Sequence, residues 1–113
     1  METLFDKIIK RQVPADIVFE DELCLAFRDI SPQAPTHILL IPKKPIESMA
    51  KLNTEDQALM GHMLLTAAQI AQSEGLSEEG YRLVVNTNSA GGQSVYHLHM
   101  HILGGRQMQW PPG

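Results

Sequence analysis

The chain has 113 residues and a mass of 12.6 kDa, which fits one domain and leaves little for a second. Nine Lys and Arg against thirteen Asp and Glu give a net charge of −4, which argues against binding to duplex nucleic acid or to an anionic membrane. The single cysteine, Cys24, excludes an internal disulfide and a cysteine-rich zinc module.

The ends and apolar runs of the chain predict its location. The first residues lack the apolar segment of a signal peptide, and the longest apolar run, residues 38–41, is far shorter than a membrane span. Together with one unpaired cysteine, these features lead us to expect a cytoplasmic protein that engages no membrane.

One short helix and three strands are predicted for the first half of the chain. Residues 3–10 place apolar side chains in the i, i+1, i+4, i+5 pattern of a short amphipathic helix. Residues 17–19 and 23–27 are typical of a hairpin. The prolines of 29–35 predict a turn-rich connection, and residues 37–41, apolar on both faces, predict an inner strand.

One long helix and two strands are predicted for the second half. Thr54 with Gln57 three residues later is a capping-box signature, and the helix extends to about Ser73. Strands are predicted at 81–87 and 95–103. Because short links join most strands, we expect an α+β fold with an antiparallel sheet of about five strands. The apolar stripe of the long helix comprises Leu59, Met60, Met63, Leu64, Ala67, Ile70 and Ala71.

Three of the five histidines alternate along the last predicted strand, at His97, His99 and His101. Side chains two residues apart on a strand share a face, so the three rings are expected on one side of the sheet. The residues expected on the other side, in a core, are Tyr96, Leu98, Met100 and Ile102.

A metal site is one interpretation of this row. On a straight strand the first and third histidines lie about 13 Å apart at Cα, too far to share one zinc ion. Catalysis at phosphorus is favoured instead, since a neutral imidazole is a good nucleophile and its neighbours can act as acid or base. We therefore expect no metal and no cofactor, with a metal-binding module as an alternative.

A polar loop at 86–94 precedes the row and contains Gly91 and Gly92. Its free backbone N–H groups are suited to phosphate oxygens. No Walker-type phosphate loop occurs in the chain.

These residues together resemble the histidine-triad family, in its nucleotide-binding branch. The signature Ser-Val-Tyr-His-Leu-His-Met-His-Ile-Leu occupies residues 94–103, and 26–37, 42–44, 91–94 and 105–113 are similar as well. The resemblance implies a homodimer that continues the sheet across subunits. It also implies hydrolysis of purine nucleoside phosphoramidates, such as adenylated amines of the AMP-lysine type.

The resemblance further implies roles for the residues around phosphorus. His99 is implied to be the nucleophile that attacks the α-phosphorus and becomes transiently nucleotidylated. His101 and Ser94, with backbone groups near Gly92 and Gln93, are implied to contact the phosphate or the leaving group.

Other implied roles concern the proton relay and the nucleoside. His97 and His37 are implied to form a hydrogen-bonded relay behind the nucleophile. In some relatives a further histidine extends this relay, but this chain has Pro45 at that position. Asp29 is implied to hold the ribose hydroxyls, and Trp110 to reach the partner's site. The residues implied to surround the base are Phe5, Ile8, Phe27, Ile30, Leu39 and Asn86.

Two further functions remain open at this point. One is hydrolysis of dinucleoside polyphosphates, which the same triad serves, and the other is a nucleotide-binding regulatory protein with vestigial activity. Outside the triad, we interpret His62 as a solvated residue and Cys24 as a buried structural thiol.

Overall fold

The computed structural model describes all 113 residues, which form five strands and two α-helices. All neighbouring strands are antiparallel, in the spatial order first, second, third, fifth, fourth, which confirms the predicted α+β sheet. No helix is long and apolar enough to cross a membrane. In chain order the elements are α1 (Leu4–Ile9), β1 (Ile17–Glu20), β2 (Cys24–Arg28), β3 (Thr36–Pro42), 3-10 turns at Met49–Lys51 and Thr54–Asp56, α2 (Gln57–Ser73), β4 (Tyr81–Val84) and β5 (Met100–Gly104).

The sheet separates two apolar cores. Strands β2 and β3 are buried on both faces, so their alternating side chains enter different cores. The larger core holds thirteen buried residues, including Met63 and Ala67 of α2. The smaller core holds six and includes both buried residues of α1. Its members are Phe5, Ile8, Leu25, Phe27, Leu39 and Ile41.

Helix α2 packs as predicted along most of its length, but it begins differently. The capping box uses Asn53 and Asp56, in place of the predicted Thr54 and Gln57. Asn53 accepts from the Glu55 N–H at 2.9 Å, and its own N–H donates to the Asp56 carboxylate at 3.1 Å. The predicted stripe was also wrong at Leu64, which is 54% exposed.

The last two strands are shorter than predicted, because a local framework replaces the sheet ladder between them. The Gln93 side chain accepts from the Asn88 N–H and donates to the carbonyls of Glu47 and Val95. Residues 95–97 bend, so of the three histidines only His101 lies on β5.

The alternation predicted for residues 96–102 holds in part. Leu98, Met100 and Ile102 enter the larger core, as predicted. Tyr96 is 44% exposed, so the prediction was wrong there, where the bend precedes the strand.

Candidate active site

A cavity of about 310 Å³ opens on the α1 side of the sheet. Its wall is mostly apolar with a few polar side chains, as is typical of ligand sites. Much of the set implied by the family resemblance lines this cavity: Phe5, Ile8, Phe27, Asp29, Ile30, Leu39, Ser94, His99 and His101.

Some cavity residues were missed by the sequence analysis. The segment after α1 contributes Val13, Pro14 and Ala15, and Arg28 and Val95 also line the wall. A connecting segment carries no periodic pattern, so nothing in the sequence marks 13–15 as a wall. Leu4 of α1 also lines the cavity and is half exposed.

The loop residues Asn86, Gly92 and Gln93 do not line the cavity. Gln93 is buried and its amide is engaged in holding the loop. Gly92 has φ +81°, a conformation that favours glycine. A Cβ at Gly91 would lie 2.5 Å from the Thr87 carbonyl oxygen, so this position also requires glycine. The glycines therefore set the shape of the loop before the histidines.

His99 is buried at the edge of Phe5, with ring centroids 5.0 Å apart. Its Nδ1 lies 2.8 Å from the His97 carbonyl oxygen. Because a carbonyl only accepts, Nδ1 carries the proton and the neutral ring keeps a lone pair on Nε2. Burial lowers the pKa of His99, which favours this neutral form. The ring is therefore held in the tautomer that a nucleophile needs.

His101 is fixed in the opposite tautomer by His37. The Gln33 N–H donates to His37 Nδ1 at 3.0 Å, so the neutral His37 carries its proton on Nε2. That nitrogen lies 2.9 Å from His101 Nδ1, which accepts. His101 Nε2 therefore carries a proton, and it is a buried polar atom without a hydrogen-bond partner in the protein.

The charge state of this histidine pair follows from its surroundings. Burial, together with neighbouring His99 and His37, lowers the pKa of His101 to about 4. Burial also lowers the pKa of His37, against the opposing effect of Asp29, whose carboxylate lies 3.5 Å away. At neutral pH the pair is uncharged and presents an N–H donor beside the His99 lone pair.

His97 does not contact His37, in contrast to the relay implied above. Its Nε2 lies 2.8 Å from the Pro42 carbonyl oxygen, and its Nδ1 lies 3.5 Å from Asp6 of α1. The bend at 95–97 directs the ring behind Phe5 instead of toward His101. His97 therefore acts on His99 through the His97 backbone carbonyl. The hydrogen bond between two histidine rings is the one between His37 and His101.

Comparison with known proteins decides the family. The HIT domain model matches residues 10–108. This chain belongs to the HIT domain family. It is 63% identical to an uncharacterised HIT-like protein of Synechococcus elongatus over 112 residues, 99% of this chain and 97% of the relative. It is 56% identical to the purine nucleoside phosphoramidase of Escherichia coli K12 over 107 residues, 95% of this chain and 90% of the relative.

The solved structures agree. The crystal structure of a HIT family hydrolase from Legionella pneumophila matches with a TM-score of 0.97 and 59% identity, over 99% of this chain and all of that one. A HIT family hydrolase from Clostridium thermocellum matches with a TM-score of 0.92 and 42% identity, over 96% and 94%. The chain is therefore a HIT-family hydrolase.

One group in the HIT domain's site has the composition of a metal site. Oxygen of Asp29 and ring nitrogens of His37 and His101 lie within 4.8 Å of one another. Asp29 is distant from the histidine row in the chain, so the row alone does not predict this group. The facing His37 and His101 nitrogens already share a hydrogen bond, which a metal ligated by both would have to replace. That no metal is needed stays a prediction.

Trp110 lies on the surface of this HIT domain. The residue is 81% exposed, and its ring centroid lies 6.0 Å from the Arg82 guanidinium carbon. The homodimer and the reach of Trp110 into a partner's site stay predictions.

Proposed function

We propose that this HIT-family hydrolase cleaves the P–N bond of purine nucleoside phosphoramidates through a nucleotidyl intermediate on His99. The observation that carries the proposal is that His99, with a lone pair on Nε2, and His101, with a proton on Nε2, line one cavity with ring centroids 5.2 Å apart. The name of the Escherichia coli relative supports the substrate class.

The cavity supports a nucleoside as the bound group. Phe5, Phe27 and Leu39 provide an apolar wall suited to a flat base. Asp29 uses one carboxylate oxygen to accept from the Ser31 N–H, at 2.8 Å. Its other oxygen is suited to the ribose hydroxyls. Ser94 lines the same cavity and is proposed to contact the phosphate.

The first step forms the bond between His99 Nε2 and the α-phosphorus and breaks the bond from phosphorus to the amine. Binding of the anionic phosphoryl group raises the proton affinity of the His37–His101 pair, which takes up a proton. His101 Nε2 then donates its proton to the departing amine, and the pair returns to its uncharged state. His99 becomes cationic, and the His97 carbonyl that accepts its Nδ1–H stabilises this charge.

The second step returns the enzyme to its starting state. Water attacks the phosphorus, one of its protons passes to the His37–His101 pair, and His99 leaves as a neutral imidazole. The pair releases that proton to solvent when the nucleoside monophosphate dissociates, which leaves both histidines uncharged again. The products are the amine from the first step and the nucleoside monophosphate from the second. No step uses a metal, so we expect chelators to leave the rate unchanged.

The experiment is to capture the intermediate. The protein is mixed with an adenosine phosphoramidate, quenched early with base (phosphohistidine-type bonds are lost in acid), digested and analysed by mass spectrometry. We expect the mass of one adenylyl group on the peptide that contains His99. Turnover without an adduct, together with full activity of His99→Ala, contradicts the mechanism.

The same assay separates the alternatives. A dinucleoside polyphosphate hydrolase would turn over dinucleoside polyphosphates faster than phosphoramidates. A binding protein with vestigial activity would retain nucleotide affinity and hydrolyse neither. Loss of activity on chelation, restored by zinc, would support the metal interpretation.

We also propose that the working form is a homodimer with Trp110 near the partner's site. The support is the large exposed ring of Trp110 and strand β4 at the edge of the sheet. Sedimentation at micromolar concentration should show twice the 12.6 kDa chain mass. A species of single-chain mass would contradict the dimer.

A further inference from the structure

We propose that Asp21, Cys24 and His62 form a zinc site on the other side of the sheet from the active site. A carboxylate oxygen, the thiol sulfur and an imidazole nitrogen of these residues lie within 4.8 Å of one another. One borderline-soft sulfur, one imidazole nitrogen and one carboxylate oxygen form a ligand set that suits zinc. None of the three residues belongs to the proposed reaction.

Two of the ligands are held by the β1–β2 hairpin. Asp21 precedes β2 and accepts with Oδ1 from the N–H groups of Leu23 and Cys24, each at 2.8 Å. The Asp21 N–H also donates to the Cys24 carbonyl. The carboxylate and the thiol are thus fixed relative to each other, with Cys24 Sγ 3.5 Å from Asp21 Oδ1.

The third ligand comes from the middle of α2. His62 Nε2 lies 2.7 Å from Asp21 Oδ2. Tetrahedral zinc with Zn–S of ~2.3 Å and Zn–N or Zn–O of ~2.0–2.1 Å separates its ligand atoms by about 3.3–3.6 Å. The distance of 3.5 Å between Cys24 Sγ and Asp21 Oδ1 lies in this range. His62 Nε2 contacts the other carboxylate oxygen, Oδ2, so zinc would replace that hydrogen bond. Rotation of the surface His62 side chain provides the adjustment.

The residues of this group allow zinc to enter and balance its charge. The side chains of His62 and Asp21 are 36% and 31% exposed, so zinc can enter from solvent and keep a water as its fourth ligand. Binding displaces the Cys24 proton to solvent, and the thiolate with the Asp21 carboxylate balances the two charges of the ion. Buried Thr66 lies one helical turn after His62, with its hydroxyl 3.5 Å from Nε2. A bound ion would join the hairpin to α2.

Cobalt provides a selective test, because Cys24 is the only cysteine in the chain. A Co²⁺–thiolate bond gives a near-ultraviolet charge-transfer band that histidine and carboxylate ligands do not give. Titration of the reduced, chelator-treated protein with Co²⁺ should produce this band at one ion per chain. Addition of Zn²⁺ should bleach it.

Variants locate the site. Cys24→Ala should abolish the band, and His62→Gln should weaken Co²⁺ binding at least tenfold. Circular dichroism verifies that each variant is folded. If Cys24→Ala disturbs the core, His62→Gln still tests the site, because His62 lies on the surface. The control His101→Gln removes a potential ligand from the active-site group and should leave the band unchanged. No band at millimolar Co²⁺, or a band insensitive to His62→Gln, would overturn the proposal.

Discussion

The two sides of the sheet use histidine in opposite ways. On the α1 side, His37 and His101 are paired ring to ring, and burial lowers the pKa of both. On the α2 side, His62 lies at the surface against the Asp21 carboxylate. On the α1 side the effect of burial outweighs that of the Asp29 carboxylate and keeps the imidazoles neutral, with one lone pair and one N–H to offer. The surface imidazole of His62, beside a carboxylate and a thiol, is placed to contribute a ligand to a metal ion.

The largest expected effect separates these two groups of histidines. His99→Ala should lower kcat for an adenosine phosphoramidate by about 10⁴-fold or more, because it removes the attacking nitrogen. The matched control is His62→Gln, which should retain the wild-type rate. Steady-state kinetics measures both. Equal losses of kcat in the two variants would contradict a catalytic role confined to the histidines on the α1 side.

The two apolar cores should differ in what they support. Met63→Ala, in the larger core, is expected to lower the free energy of unfolding by about 3 kcal/mol and leave KM unchanged. Ile8→Ala, in the smaller core, is expected to cost about 2–3 kcal/mol and also to raise KM, since Ile8 lines the cavity. Urea unfolding and kinetics at a temperature where both variants are folded test this. A rise in KM for Met63→Ala without one for Ile8→Ala would show that the larger core, and not the smaller one, supports the cavity.

Acid should lower the stability of the fold through the buried His101 of the active site. In the unfolded chain the pKa of this group is near its ordinary value of 6.5, whereas in the fold it is lowered to about 4. The unfolded state therefore binds more protons, and stability falls as the pH decreases from about 6.5 to 4. Thermal unfolding should show a weaker pH dependence over this range in His101→Gln. An identical slope in the two proteins would contradict the buried neutral state.

The smallest expected effect concerns an ion pair of Arg28, a residue that lines the cavity, with Glu74 at the end of α2. Arg28 donates two hydrogen bonds of 3.0 Å to the Glu74 carboxylate, and this pair is partly exposed. Glu74→Gln should cost about 0.5–1 kcal/mol of stability, less in high salt. Denaturant unfolding at two salt concentrations measures it. A loss of stability as large as that from Ile8→Ala would contradict the small contribution expected of a partly exposed ion pair.

Patterns along the chain were sufficient for most of the fold. Inner strand β3 and the buried face of α2 follow from apolar runs and helical spacing, and the structure confirms both. The start of β5 did not follow, because residues 95–99 alternate like a strand yet lack its ladder. The Leu98 N–H donates to the Ile46 carbonyl, and the Gln93 amide holds Val95. A local pattern does not specify the partner of each backbone group.

The candidate site was predictable to a smaller degree. The alternating histidines indicated chemistry by themselves, whereas Asp29 and the apolar wall came from resemblance to a family. The contact of His37 with His101 joins residues 64 apart in sequence. Such a contact depends on strand register, in which His37 lies opposite Leu103 and Leu39 opposite His101. Spacing along one segment carries no information on that register.

Helix α1 has only six residues, far fewer than a helix needs to persist alone in water. Its cap at Thr3 and its anchors, Phe5 and Ile8, keep it folded, and the same two anchors line the cavity. Fraying of α1 would therefore remove a wall of the cavity and uncover the edge of His99. Amide hydrogen exchange in α1 then measures how often the enzyme visits a form without a cavity. Any ligand that fills the cavity should slow that exchange in proportion to its occupancy.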